Sequence, residues 1–285
     1  MNTIKSIGLV GLAISAMFAA QAFATTCPTA PVGGSATQGS PTCIATTSTD
    51  ENQGGVPADL QSQLNARTKS GTPINVYDDQ YTPSAHWEAS VTGSTSRLLF
   101  EIAGNAGVNS FGIYNPSKPS QIFQIFSGPD GAGAPASLSY DGAGNYSLLS
   151  GSGITSTTFT NNSGVFGYYL LTPTGFFYSD PSLNNSADEA GNPYSNGMHH
   201  MVAFQGGGQT FCRDTLKTVC GPLLNDDYLL AWEDQAFLKS DLDYNDFVVL
   251  VESVKAVPEP GVLGMFGLGV LLLGGFATLR RRYTV

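Results

Sequence analysis

From His86 onward the chain repeats one pattern that leaves few folds open. Short apolar and β-branched runs, at 97–103, 109–114, 121–126, 145–149, 164–171, 175–179, 198–205, 227–233 and 247–254, alternate with clusters of Gly, Asn, Pro and Ser. Runs this short have the length of strands, and the residues between them are the ones that turn a chain. Nine or more strands in about 170 residues predict a single all-β domain, an antiparallel β-sandwich of jelly-roll-like kind, over 56–256. The 34 Gly, 16 Phe and only 12% charged residues agree with a turn-rich β domain rather than with disorder. One short helix is expected before the strands, over 57–67, with Asp59 as N-cap and Leu60 and Leu64 on one face.

The two ends read differently from this middle. Lys5 precedes an apolar run over 7–20, too short to span a bilayer comfortably, and Ala22-Phe23-Ala24 follows with small residues where a signal peptidase needs them. Residues 1–24 are therefore expected to be a signal peptide, cut between Ala24 and Thr25. Residues 25–55, rich in Thr, Ser, Pro and Gly, bury too little to offset chain entropy and are expected to form a flexible leader. At the other end an uncharged, apolar stretch at 261–279 has the length of a membrane-crossing helix, and Arg280, Arg281 and Arg282 follow it on the side positive charge keeps cytoplasmic. Just before it, Pro258-Glu259-Pro260 stays extended and accessible to a protease.

This ordered triple over 257–285 resembles the PEP-CTERM sorting signal. The resemblance implies recognition by an exosortase-type membrane protease in a Gram-negative, exopolysaccharide-producing bacterium. It further implies export through the inner membrane, transient anchoring through the helix, and delivery to the cell surface or extracellular matrix. A permanent single-span anchor is the alternative.

Setting aside Lys5, Arg280, Arg281, Arg282 and Glu259 leaves 8 basic against 21 acidic residues, a net charge of −13. Such a surface repels nucleic acid and anionic lipid and attracts cations, so membrane contact is expected only through the sorting helix. The four cysteines, Cys27, Cys43, Cys212 and Cys220, suit disulfides in an oxidising compartment. Of three possible pairings, Cys27 with Cys43 and Cys212 with Cys220 close the shortest loops. Zinc is the weaker reading, because neither Cys-x-x-Cys nor a His at ligand spacing accompanies them.

The acidity concentrates at 226–246, where Asp226, Asp227, Glu233, Asp234, Asp241, Asp243 and Asp246 face the single base Lys239. Carboxylates this close repel unless neutralised, and oxygen-bearing side chains at Asp241, Asp243, Asn245 and Asp246 allow the chain to curl around a hard cation. The expected ligand set is Asp241, Asp243, Asn245 and Asp246, supported by Glu233 or Asp234, and the expected ion is Ca2+. Glu252 falls at the twelfth position of an EF-hand count from Asp241, yet Asp246 stands where that loop requires glycine and 247–251 reads as a buried strand. The EF-hand reading is rejected. A solvated acidic turn without an ion remains the alternative.

Tyr228-Leu229-Leu230-Ala231-Trp232-Glu233-Asp234, running to Asp241-Leu242-Asp243-Tyr244-Asn245-Asp246-Phe247-Val248-Val249, resembles the signature of the DUF4114 domain of secreted bacterial proteins. Gly164 to Tyr169, Phe177-Tyr178-Ser179, Asn184 and His200-Met201 extend the similarity upstream. The resemblance covers about 164–254 and implies a β-sandwich with a calcium loop, but no established activity.

Catalytic patterns are thin. The carboxylates crowd one loop instead of flanking a cleft, and the chain lacks a Gly-x-Ser-x-Gly elbow and a His-Glu-x-x-His pair. Gly206-Gly207-Gly208 is weak as a phosphate loop because no helix follows it. His199 and His200 point to opposite faces if 198–205 is a strand, so one is expected in the core and the other is left for a ligand. Trp87, Phe176, Phe177, Tyr178 and Tyr194 either pack or stack on sugars. The leading expectation is a non-catalytic surface or biofilm-matrix protein with a calcium-stabilised sandwich, partnered by exopolysaccharide or other matrix components. A carbohydrate-binding module or adhesin comes second and a secreted glycoside hydrolase third.

Overall fold

The computed structural model describes residues 42–48, 50–52, 55–89, 93–100, 107–160, 163–184, 199–235 and 240–258. The expected signal peptide with Ala22, Ala24 and Thr25, the partner cysteine Cys27, the apolar span 261–279 and the sorting residues Glu259, Pro260 and Arg280 to Arg282 lie outside them. Among the described residues no helix is long and apolar enough to cross a membrane.

Among the described residues one α-helix, α1 (Leu60–Arg67), precedes all the strands. The first strands are β1 (Thr68–Ser70), β2 (His86–Ala89), β3 (Gly93–Phe100), β4 (Ser110–Asn115), β5 (Lys118–Phe126) and β6 (Pro135–Tyr140). Next come β7 (Asn145–Ser150), β8 (Gly153–Thr158), β9 (Val165–Thr172), β10 (Gly175–Tyr178) and β11 (Met201–Gln205). The last are β12 (Thr210–Cys212), β13 (Cys220–Pro222), β14 (Tyr228–Trp232), β15 (Phe247–Glu252) and β16 (Val254–Val257). Every pairing among the described strands is antiparallel, and the fold is all-β as expected.

Two large sheets carry the architecture, one in the order β16-β2-β9-β4-β5 with β10 on β9, the other in the order β11-β14-β15-β3-β6-β7-β8. A single apolar cluster draws Trp87, Phe111, Phe166 and Tyr168 from the first sheet and Leu138, Tyr146, Trp232 and Phe247 from the second. The sheets therefore face each other in a sandwich-like arrangement whose centre is aromatic. Phe111 stacks on Tyr168 at 5.3 Å and on Phe247 at 5.6 Å, and meets the Trp232 ring edge-on at 6.1 Å.

The second sheet is apolar on both faces at one end. Along β14, Tyr228, Leu230 and Trp232 enter the inner cluster while Leu229 and Ala231 enter an outer one; along β15, Phe247, Val249 and Val251 point in while Val248 and Leu250 point out. This is the period of two that a pleated strand imposes. The outer cluster is covered by α1 through Leu60 and Leu64, by Ile74 and Val76, and by Ile44. Asp59 caps α1 as expected, its Oδ1 accepting from Ser62 N at 2.9 Å.

Ile44 lies in the segment expected to be a flexible leader. It is fully buried, and its neighbours are tied down: Thr42 N donates to Gln80 Oε1 at 2.7 Å and Ala45 N to Leu242 O at 2.7 Å. This part of the leader is docked on the domain, because one large apolar side chain is enough to seal the rim of the outer cluster.

Two other differences have simple causes. The run 247–254, expected as one strand, breaks at Ser253, whose φ of 60° turns the chain from β15 in one large sheet to β16 in the other. Strands β6, β8, β12 and β13 were not among the expected runs: β12 and β13 are only three residues long, and in β6 and β8 the apolar residues are single and separated by Ser and Thr. The expected Cys212–Cys220 disulfide is present, joining residues directly opposite each other on β12 and β13. Cys43 is disulfide-bonded as well.

Candidate metal centre

Five of the seven acidic residues, Glu233, Asp234, Asp241, Asp243 and Asp246, occupy the excursion between β14 and β15, which leaves the sheet at Trp232 and re-enters at its cross-strand partner Phe247; Asp226 and Asp227 precede β14. Two residues of the returning arm, Leu242 and Tyr244, have φ of 60° and 54°. Side chains with a Cβ adopt this region at a cost, and surrounding contacts must hold them there. Here both side chains are buried in the outer cluster, and Tyr244 Oη donates to His199 O at 2.6 Å.

Glu233 clamps the two arms together. It is buried, its Oε1 accepts from Tyr244 N at 2.8 Å, and its Oε2 accepts from Ser240 Oγ. The second acidic pair meets through the main chain, Asp246 Oδ2 accepting from Asp234 N at 2.9 Å, and Asp234 Oδ2 accepts from Asn109 Nδ2 at 3.0 Å. These three expected site residues serve the loop's own framework.

Asp241 and Asp243 do come together, and a residue absent from the expected set joins them. Asp50, from the docked leader, places a carboxylate oxygen so that all three residues have oxygens within 4.8 Å of one another. Oxygens bound to one calcium ion at about 2.4 Å can stand no farther apart than about 4.8 Å, so the three fit one coordination sphere. Asp243 is buried, Asp50 half-buried and Asp241 exposed, which leaves the cluster open to solvent on the Asp241 side. Asn245 braces it: its Nδ2 donates to Asp243 Oδ2 at 2.6 Å and to Ser48 Oγ at 3.1 Å. The buried Oδ1 of Asn245 has no hydrogen-bond partner among the described residues.

Nothing basic compensates this charge among the described residues, whose two ion pairs are His86 with Asp180 and Lys255 with Glu88. Burial, reinforced by neighbouring carboxylates, consequently holds Glu233, Asp243 and Asp246 well above the ordinary carboxylate range and raises Asp241 as well. Protons or a bound cation would relieve the repulsion among these carboxylates. Asp50 had one faint signal in the sequence, since it and Glu51 are the only charged residues of 25–55.

Other expected site features resolve into structure. Gly206 N donates to Asp227 O, Gly208 N to Leu223 O and Gly207 N to Gln209 Oε1, so the glycine run offers no free amides to a phosphate. A Cβ on Gly206 would lie 2.1 Å from Leu224 O, which is reason enough for glycine there. His199 and His200 precede β11. His200 is the core histidine, stacked on Phe177 at 3.9 Å, and burial pulls its pKa down to about 3. Trp87 and Phe177 are core residues, whereas Phe176 and Tyr178 stack on each other at 6.0 Å and stay half-exposed; Tyr194 lies outside the described residues.

No family model, no curated protein and no solved structure matches the chain.

Proposed function

We propose that the chain is an exported, non-catalytic surface or biofilm-matrix protein whose jelly-roll-like sandwich is closed by calcium. On this reading an exosortase-type protease sorts it through the tail at 257–285, and exopolysaccharide or another matrix component is its partner. One observation carries the metal part: Asp50, Asp241 and Asp243 converge from two distant segments, and no basic residue among the described ones is ion-paired with them. Calcium would be held by these three, with Asn245 beside them, and would join the N-terminal segment to the β14–β15 loop. The ordered Pro258-Glu259-Pro260, apolar span and arginine cluster support the sorting part.

A non-catalytic role is supported by how the candidate groups are used. Both oxygens of Glu233 are engaged in a buried position, which leaves none to face a glycosidic bond. His86 stands 3.6 Å from Asp180, but the adjacent Ser179 hydroxyl is buried and donates to Ala85 O at 2.6 Å. Carbohydrate binding is the second reading, and the half-exposed Phe176–Tyr178 stack favours it as a platform for a sugar face. Calorimetric titration of the purified protein with calcium decides the metal part: binding that Asp243→Asn abolishes supports it, and no heat of binding sinks it. Glycan-array binding that is lost in Tyr178→Ala would favour the second reading.

A further inference from the structure

An exposed row of unpaired backbone amides and carbonyls is a template for another strand, and proteins usually guard it with charge, proline or cover. The two large sheets end in β11, β8, β16 and β5. Three of these ends are guarded. The edge of β11 is covered by the chain at 80–81, where Tyr81 N donates to Ala203 O at 2.8 Å and Gln80 bridges Phe204. Strand β16 carries Lys255, ion-paired with Glu88 at 2.9 Å, and β5 opens with Lys118 and Pro119.

Among the described residues strand β8 has none of these devices. Its sequence, Gly-Ile-Thr-Ser-Thr-Thr, has neither charge nor proline, five of its six residues are exposed, and no described strand pairs with its outer side. It also has an apolar strip beside it on the outward face, where Ile154, 76% exposed, lies directly opposite Leu149, 55% exposed. From 142 to 179 the chain contains no Asp, Glu, Lys, Arg or His, although its net charge is −10.

We infer that β8 is the edge through which two copies of this chain pair, antiparallel, into one continuous sheet. A second copy is the occupant that the charge pattern selects. Two acidic molecules repel each other over most of their surface, and the β7–β8 hairpin at this edge, 145–158, carries no carboxylate for the second copy to oppose. A two-fold axis perpendicular to the sheet near Thr155 and Ser156 keeps both outward faces on one side. It thereby brings the Leu149–Ile154 strips of the two copies onto one surface, and satisfies backbone groups that β7 leaves unused.

Sedimentation equilibrium of the purified protein over a range of concentrations tests this. A monomer–dimer equilibrium is expected, and amide exchange at 153–158 should slow as the dimer fills. Introducing Ile154→Lys with Ser156→Lys should raise the dimer dissociation constant at least about tenfold, since it opposes like charges across the axis. Both side chains are exposed, so the melting temperature of the monomer should hold. A monomer at every concentration, or a dimer indifferent to both lysines, overturns the proposal.

Discussion

The side-chain amide of Asn245 donates to the main-chain carbonyl of Ala58 across 3.0 Å, linking residues 187 apart in the chain. The same nitrogen reaches Ser48 Oγ and Asp243 Oδ2. The N-terminal segment is thus latched to the acidic loop by neutral hydrogen bonds as well as by the carboxylates around Asp50. Stability of the docked segment and occupancy of the candidate cation site should therefore be linked.

Calcium should raise the melting temperature and chelation should reverse it. Extracellular calcium modules bind at about 0.1–1 mM. At roughly 10 mM ion and a dissociation constant of ~0.1 mM, linkage is worth about 2.7 kcal/mol, or on the order of 5–10 °C for a domain of this size. Asp50→Asn should remove the calcium-dependent part while leaving a folded protein in chelator. Identical melting curves with chelator and with calcium would leave the loop a solvated acidic turn.

Replacing Ile44 should cost as much as replacing a residue of the main domain. Its side chain is fully buried among Leu60, Leu64 and Val248, and Ile44→Ala is expected to destabilise by about 2–4 kcal/mol. Denaturant unfolding measures this directly. A change within error would mean that the segment is free in solution.

His200 should make the protein acid-sensitive. Its folded pKa is lowered to about 3, whereas the unfolded side chain titrates near about 6.5. Between these values the unfolded chain binds the extra proton, so the contribution is neutral above about pH 6.5 and destabilises by about 1.4 kcal/mol for each pH unit below it, down to the folded pKa. His200→Phe keeps an aromatic ring on Phe177 and should flatten this part of the stability profile. Parallel profiles for the two proteins would disprove the assignment.

If the ends are processed as proposed, the intact mass of released protein should correspond to a chain beginning at Thr25 and ending between Pro258 and Gly261. Retention of Arg280 to Arg282 in released material would instead favour the permanent anchor.

What the sequence determined by itself is local. Strand positions with an apolar signal, such as 165–172 and 228–232, the Asp59 cap and the crowding of acids at 241–246 follow from periodicity, turn chemistry and charge within a few residues. The tertiary structure alone decided which distant pieces meet. Nothing near Asp50 points to Asp241, and 153–158 has β-branched residues but no apolar run; the hydrogen bonds that engage Glu233, Asp234 and Asp246 come from residues up to 125 positions away. The physical reason is that nonlocal pairing is chosen by which faces can be closed against water after the entropy of bringing them together is met. Ile44 sealing the outer cluster is what carries Asp50 to the loop, and that depends on the assembled β11-β14-β15 surface rather than on any motif around Ile44.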